Sequence, residues 1–152
     1  MNLPQLKEEL NTLFKEDIKV DQNIIFDILK KYNQNDWKDY AFFGEQDYKR
    51  NYVYKSDLFD IIVICWAKWQ STKIHWHPEK WCYFKVLEWK LQEHLYQSGN
   101  NKLKINVLEK NDINYEHDSI GIHKVSNTFD KHAVWLYIYQ SAWNYNPNEN
   151  YE

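Results

Sequence analysis

The sequence predicts an all-β domain, a small antiparallel barrel or sandwich entered through two N-terminal helices. Three observations support this. Apolar residues recur at helical spacing only as far as about Tyr32. From about Tyr48 onward, short runs rich in β-branched and aromatic residues follow one another closely. Polar, turn-prone stretches such as Lys55-Ser56-Asp57, Gly99-Asn100-Asn101 and Asn111-Asp112 separate these runs.

Leu3, Leu6, Leu10, Leu13 and Phe14 form one apolar stripe, and Pro4 suits the first turn of a helix. A second stripe, Ile24, Ile25, Ile28, Leu29 and Tyr32, follows Asp21, which is placed to cap a helix start. The polar residues Asn33 to Asp36 end it. The strand-like runs are then YVY, LFDIIVICWA, WCYFKVLEW, KLQEHLY, LKINVL and AVWLYIY. Close spacing of many short strands points to an antiparallel sandwich or barrel. With no repeat or low-complexity linker, the chain reads as one domain over 1–152: a helical segment at 1–40, the barrel at 47–140 and a loose tail at 141–152.

A chain of 152 residues, 43% of them hydrophobic, can bury one sizeable core. A net charge of -3 argues against nucleic acid or an anionic membrane as partner. Cys65 and Cys82 are too few for a disulfide framework, and the acidic N-terminus resembles neither a signal peptide nor a membrane span. An intracellular, cytoplasmic location is the expectation. Aromatic residues reach 18%, with eight Trp and twelve Tyr, against only three Gly. An AT-rich genome offers a bland account of the Lys, Asn, Ile and Tyr enrichment.

The chemistry concentrates in IHWHPEKWCYFKV. Two histidines at i and i+2 of a strand share a face, so His75 and His77 can reach one metal ion from one side. His123, in SIGIHKVSN, offers a third imidazole from a later strand. Three imidazoles can fill one face of an octahedron and leave positions open. A His-x-His pair alone is weak evidence, because most histidines are polar surface residues.

The spacing resembles the two motifs of the cupin (jelly-roll) superfamily. Five residues separate Trp69 from His75, four separate His77 from Cys82 and six separate Cys82 from Trp89; His123 and Asn127 match the second motif. Cys82 replaces the motif's glutamate, as in the cysteine dioxygenase type I family. YKRNYVYKSDLFDIIVICW, HDSIGIHKVSN and AVWLYIYQSA also resemble that family, so the likeness covers nearly the whole chain. It implies Fe(II) held by His75, His77 and His123, with L-cysteine and O2 as substrates and cysteine sulfinate as product. Arg50 would receive the substrate carboxylate through its fork of donors, and Tyr48 would share that pocket. Tyr139 would sit beside the iron, and Cys82 matches a cysteine that is thioether-linked to it in some members. Cys65 reads as a buried small hydrophobe.

The chain departs from the family at Trp69 and Trp89, which stand where the motif has glycine, and at Ala67, next to the Cys-Trp pair. Glycine there serves turns with positive φ, so strain or rebuilt turns are expected. Trp76 stands between the two ligands, and Tyr137 replaces a relay histidine that would orient the Tyr139 hydroxyl. Two functions follow: a thiol dioxygenase, or a weakened or inactive cupin serving as a structural subunit of a larger assembly. Trp69, Trp76, Trp89 and Trp135, expected on turns and outer faces, would supply the second with an aromatic partner surface.

Overall fold

A computed structural model describes residues 1–16, 21–73, 82–97, 102–116 and 122–140 of the chain. Helix α1 (Leu3–Lys15) and helix α2 (Gln22–Lys31) occupy the predicted stripes, and Asp21 caps α2 by accepting from the Asn23 backbone N–H. At α1, Asn2 and Gln5 form a reciprocal capping box, which satisfies two N–H groups that the helix leaves orphaned. A short 3₁₀ helix (Asp36–Tyr40) follows.

Eight strands follow among the described residues: β1 (Lys49–Lys55), β2 (Phe59–Trp66), β3 (Cys82–Glu88), β4 (Lys90–Gln97), β5 (Lys102–Glu109), β6 (Ile113–Glu116), β7 (Ile122–Ser126) and β8 (Ala133–Gln140). They form a five-stranded sheet ordered β1-β2-β8-β3-β6 and a three-stranded sheet ordered β5-β4-β7, antiparallel throughout. Among the described residues the two sheets do not close into a full barrel; they make an antiparallel double-sheet domain.

The larger sheet is buried on both faces. Ile61, Val63 and Cys65 of β2 and Val134, Leu136 and Ile138 of β8 pack under the helices against Leu6, Leu10, Ile25 and Leu29. The alternate residues, Ile62, Ile64 and Trp66 with Trp135, Tyr137 and Tyr139, form a second cluster with Leu91, Leu108 and Val125 of the smaller sheet. A strand covered on both sides reads as an unbroken apolar run, which is why LFDIIVICWA shows no alternation. On β4, buried Leu91, Glu93 and Leu95 alternate with more exposed neighbours, as a one-sided sheet requires.

The aromatic excess fills the space between the sheets. Trp135 is fully buried, stacked on Phe84 at 4.5 Å and edge-on to Trp66 at 5.3 Å. The expectation that Trp135 belongs to an outer face is therefore corrected: its position on β8 points inward, and ring stacking accounts for it. Trp69 is 72% exposed, as a turn residue can be.

Among the described residues, three that are not glycine have positive φ: Trp69 (72°), Trp89 (62°) and Asn111 (76°). All three stand at corners. Trp89 joins β3 of the larger sheet to β4 of the smaller, and Asn111 joins β5 back to β6. Trp69 lies between the end of β2 and the bridge that Ser71 makes with Ser126 of β7. The two tryptophans thus keep the backbone conformation that glycine would take cheaply. Asn127 braces the Trp69 corner: its carbonyl accepts from Trp69 N–H at 2.6 Å, and its side-chain amide donates to the carbonyls of Trp66 and Lys131.

Lys85 lies on the helix-facing side of β3 and is only 6% exposed. Its ammonium donates to the carbonyls of Leu29 (3.1 Å) and Tyr32 (2.6 Å) at the end of α2. Positive charge there satisfies carbonyls left over by the helix and opposes its dipole. Burial lowers the Lys85 pKa.

Candidate active site

A small cavity of about 20 Å³ lies between the sheets, lined by Tyr48, Arg50, Glu116, His123, Tyr137 and Tyr139 among others. Of the residues singled out in the sequence, Tyr48, Arg50, His123 and Tyr139 therefore share one cavity. His75 and His77 lie outside the described residues, as do Trp76 and the tail 141–152. Thr72, three residues before His75, bonds to Val125, two residues after His123: Thr72 N–H donates to the Val125 carbonyl, and Val125 N–H donates to the Thr72 hydroxyl.

Arg50 is held at the strand edge by aromatic rings. Its guanidinium lies 5.2 Å from the ring centre of Tyr139 and 5.9 Å from that of Tyr52. Tyr48, just before β1, stacks on Trp66 at 5.6 Å. Rigid aromatic walls of this kind hold a planar cation in one orientation.

Cys82 and Tyr139 face each other directly across β3 and β8. Burial pushes the Cys82 thiol well above its ordinary value; Glu116 adds to this, while the Tyr139 hydrogen bond and Arg50 oppose it. Tyr137 stacks on Tyr139 at 5.4 Å with the rings nearly parallel, and burial raises its pKa far beyond the neutral range, helped by Glu116. It is a neutral phenol where the resemblance implies a titratable imidazole. Cys65 lies across the sheet, under the helices, and burial pushes its thiol up to about 12.

His123 is 3% exposed. Its Nδ1 lies 3.1 Å from Glu93 Oε2 and 3.3 Å from Glu116 Oε1. Glu93, on β4, is anchored in turn by Asn106 Nδ2 at 3.2 Å. Burial would lower the His123 pKa, but the charges of Glu116 and Glu93 outweigh it and hold the ring above its ordinary value. A carboxylate on one ring nitrogen fixes the tautomer and orients the other nitrogen, the arrangement typical of a metal-ligating histidine. The donor atoms of Glu93, Glu116 and His123 lie within 4.8 Å of one another, so this set can hold a metal ion.

The two glutamates are the residues that reading the sequence missed. Glu93 had a signal, a charge at an inward position between Leu91 and Leu95. Glu116 had none, since β6 is only four residues long and pairs with β3 only at Cys82 to Lys85.

Two packed antiparallel sheets around an internal cavity define a cupin-type domain, and solved structures agree. A conserved protein with a double-stranded β-helix domain from Klebsiella pneumoniae superposes with a TM-score of 0.59 at 15% identity, over 73% of this chain and 91% of that one. The cupin domain of Schizosaccharomyces pombe Cnp3 gives 0.53 at 11% identity, over 63% and 66%. The family follows from sequence: the model of cysteine dioxygenase type I matches residues 2–147. Cysteine dioxygenase type 1 of Danio rerio is 31% identical over 149 residues, covering 90% of this chain and 73% of that protein. The Homo sapiens enzyme of the same name is 31% identical over 147 residues with the same coverage. The chain belongs to the cysteine dioxygenase type I family.

Proposed function

We propose that the chain is a non-haem iron thiol dioxygenase that adds both atoms of O2 to the sulfur of L-cysteine, converting the thiol to the sulfinic acid. The observation that carries this reading is the convergence of Arg50, Tyr48, Tyr139 and the carboxylate-anchored His123 on one cavity. His75, His77 and His123 are the proposed Fe(II) ligands, and the fixed ring of buried His123 suits that task. Iron, when bound, supplies a cation that favours the substrate thiolate and the redox chemistry of O2.

The remaining roles fall to the chain's own groups. Arg50 binds the substrate carboxylate through two charge-assisted hydrogen bonds, with Tyr48 beside it. Tyr139 presents its hydroxyl to the reacting atoms, and Cys82 would form a thioether bond to it, a role supported by their pairing in register across β3 and β8. Tyr137 in the relay position makes slow turnover the expectation, since changing a group that orients a metal site's reacting side chains typically costs roughly 10- to 100-fold.

The test is to load the protein with ferrous iron without oxygen, add L-cysteine and O2, and measure sulfinate. One sulfinate per O2 consumed is expected; no sulfinate from fully loaded protein refutes the reading. A second reading, a scaffold cupin, draws on the exposed Trp69 and the neutral Tyr137. It requires a stable complex in native extracts, together with a loaded but inactive metal site.

A further inference from the structure

Five aromatic rings in contact run from Tyr139, in the cavity wall, to Tyr48 at the protein surface. Tyr139 stacks on Tyr137 at 5.4 Å and Tyr137 on Trp135 at 5.7 Å, all from alternate positions of β8. Trp135 meets Trp66 edge-on at 5.3 Å, and Trp66 stacks on Tyr48 at 5.6 Å. Tyr137 also approaches Trp66 directly, at 6.3 Å, so Trp66 is the ring that both branches must pass. The first four rings are at most 6% exposed, whereas Tyr48 is half-buried and follows exposed Glu45, Gln46 and Asp47.

Phenylalanine would fill this space as well as tyrosine and tryptophan do. What the latter two add is the ability to give up one electron, and exchange between rings is efficient only when they touch. An oxidised phenol must shed its hydroxyl proton, but an indole can carry the hole and keep its N–H. The N–H groups of Trp66 and Trp135 have no hydrogen-bond acceptor among the described residues, so neither indole can pass its proton on. The π-faces packed around them favour a positive charge in transit. Of the five rings Tyr48 is the most exposed, and water there can take its proton, so the hole settles on it.

We propose that these rings form a one-electron relay that carries oxidising equivalents from Tyr139 to Tyr48. A one-electron oxidant formed from O2 at the cavity gains the electron; Tyr48 loses that electron through the stack and its hydroxyl proton to water. A small thiol in solution then gives a hydrogen atom to the tyrosyl oxygen, and two thiyl radicals couple to a disulfide. Oxidation is thereby drawn away from Cys82, which faces Tyr139 across β3 and β8. The source of the oxidant rests on the dioxygenase reading; the ring path does not.

Metal-free protein tests the path by itself. A near-ultraviolet laser flash ejects electrons from the indoles, an ammine cobalt(III) complex consumes them, and a nitroso spin trap marks the remaining radicals for peptide mass spectrometry. Tyr48 should be labelled more than Tyr52, which is 46% exposed but no part of the stack. Trp66→Phe should bring Tyr48 labelling down to the Tyr52 level. Tyr48→Phe, which removes only a hydroxyl, should lengthen the lifetime of the indole radical. Equal labelling of Tyr48 and Tyr52 in wild type, or no effect of either substitution, overturns the relay. A second arm adds ferrous iron and O2 in the dark, without thiol. Tyr48 should again be labelled in wild type and lose its label in Tyr137→Phe; no label, or one that survives Tyr137→Phe, overturns the Tyr139 end. Labelled Tyr48 in a ferrous sample that makes no sulfinate from L-cysteine sinks the dioxygenase reading and leaves the relay standing.

Discussion

Replacing Trp69 tests how much strain the corner between the sheets stores. Its φ of 72° is a conformation that costs an L-residue about 1–2 kcal/mol. The side chain is 72% exposed, so truncation removes little packing. Trp69→Ala keeps the strain and removes the ring; Trp69→Gly removes both, but gives the unfolded chain about 0.4–1 kcal/mol of extra freedom. The difference leaves the glycine variant more stable than the alanine variant by about 0.5–1 kcal/mol. At this chain length that is about 1–4 °C in Tm. Urea unfolding followed by far-UV circular dichroism measures it directly. A glycine variant no more stable than the alanine variant would refute the strain argument. Trp89 is the built-in contrast, because Lys131 and Lys90 lie 4.4 Å and 5.1 Å from its ring centre. There Gly forfeits two cation–π contacts of about 0.5–1 kcal/mol each, which cancels the relief.

Lys85→Met should destabilise the protein by about 1–3 kcal/mol in urea, since the Leu29 and Tyr32 carbonyls lose a charged donor; an unchanged midpoint would show that the cap contributes nothing. For the metal-free protein, His123 titrates above its unfolded value of 6.5, so its stabilising effect is complete below that pH and fades as pH rises through the folded pKa. The stability gap between wild type and His123→Asn should shrink across that window, and a gap that widens would reverse the sign. Metal binding should run the other way, strengthening with pH, because the ring must be neutral to ligate. Neither Cys65 nor Cys82 should be alkylated by iodoacetamide in native buffer, because both are fully buried with raised thiol pKa values. Both should react in denaturant; a product two hydrogens lighter with one reactive thiol marks a Cys82–Tyr139 bond.

The helices, the strand runs and the two glycine-like corners were legible in the sequence because each leaves a local trace. Ile24, Ile25, Ile28 and Leu29 repeat at helical spacing, and Trp69 and Trp89 keep the motif's intervals. Of the residues that line the candidate cavity, the sequence singled out those whose type is rare or whose spacing is fixed, as for His123 and Arg50. Glu93 and Glu116 meet His123 through packing of two sheets, and no local pattern encodes that meeting. Lys85 was equally hidden: its neighbours on β3 are apolar, and its partners Leu29 and Tyr32 belong to a helix far back in the chain. Trp135 was misplaced because exposure was inferred from residue type, whereas its alternation on β8 sends it inward.

The place of β8 between β2 and β3 has a consequence for biosynthesis. Both neighbours leave the ribosome before it, and neither can complete its hydrogen-bond ladder until residues 133–140 have emerged. At roughly 5–20 residues per second, the strand pair waits seconds with apolar edges bare. During that interval the nascent chain exposes Ile62, Ile64 and Phe84, which end up fully enclosed. Holdase chaperones therefore have their binding window before β8 appears, and a ribosome stalled short of residue 133 would present an aggregation-prone half-sheet.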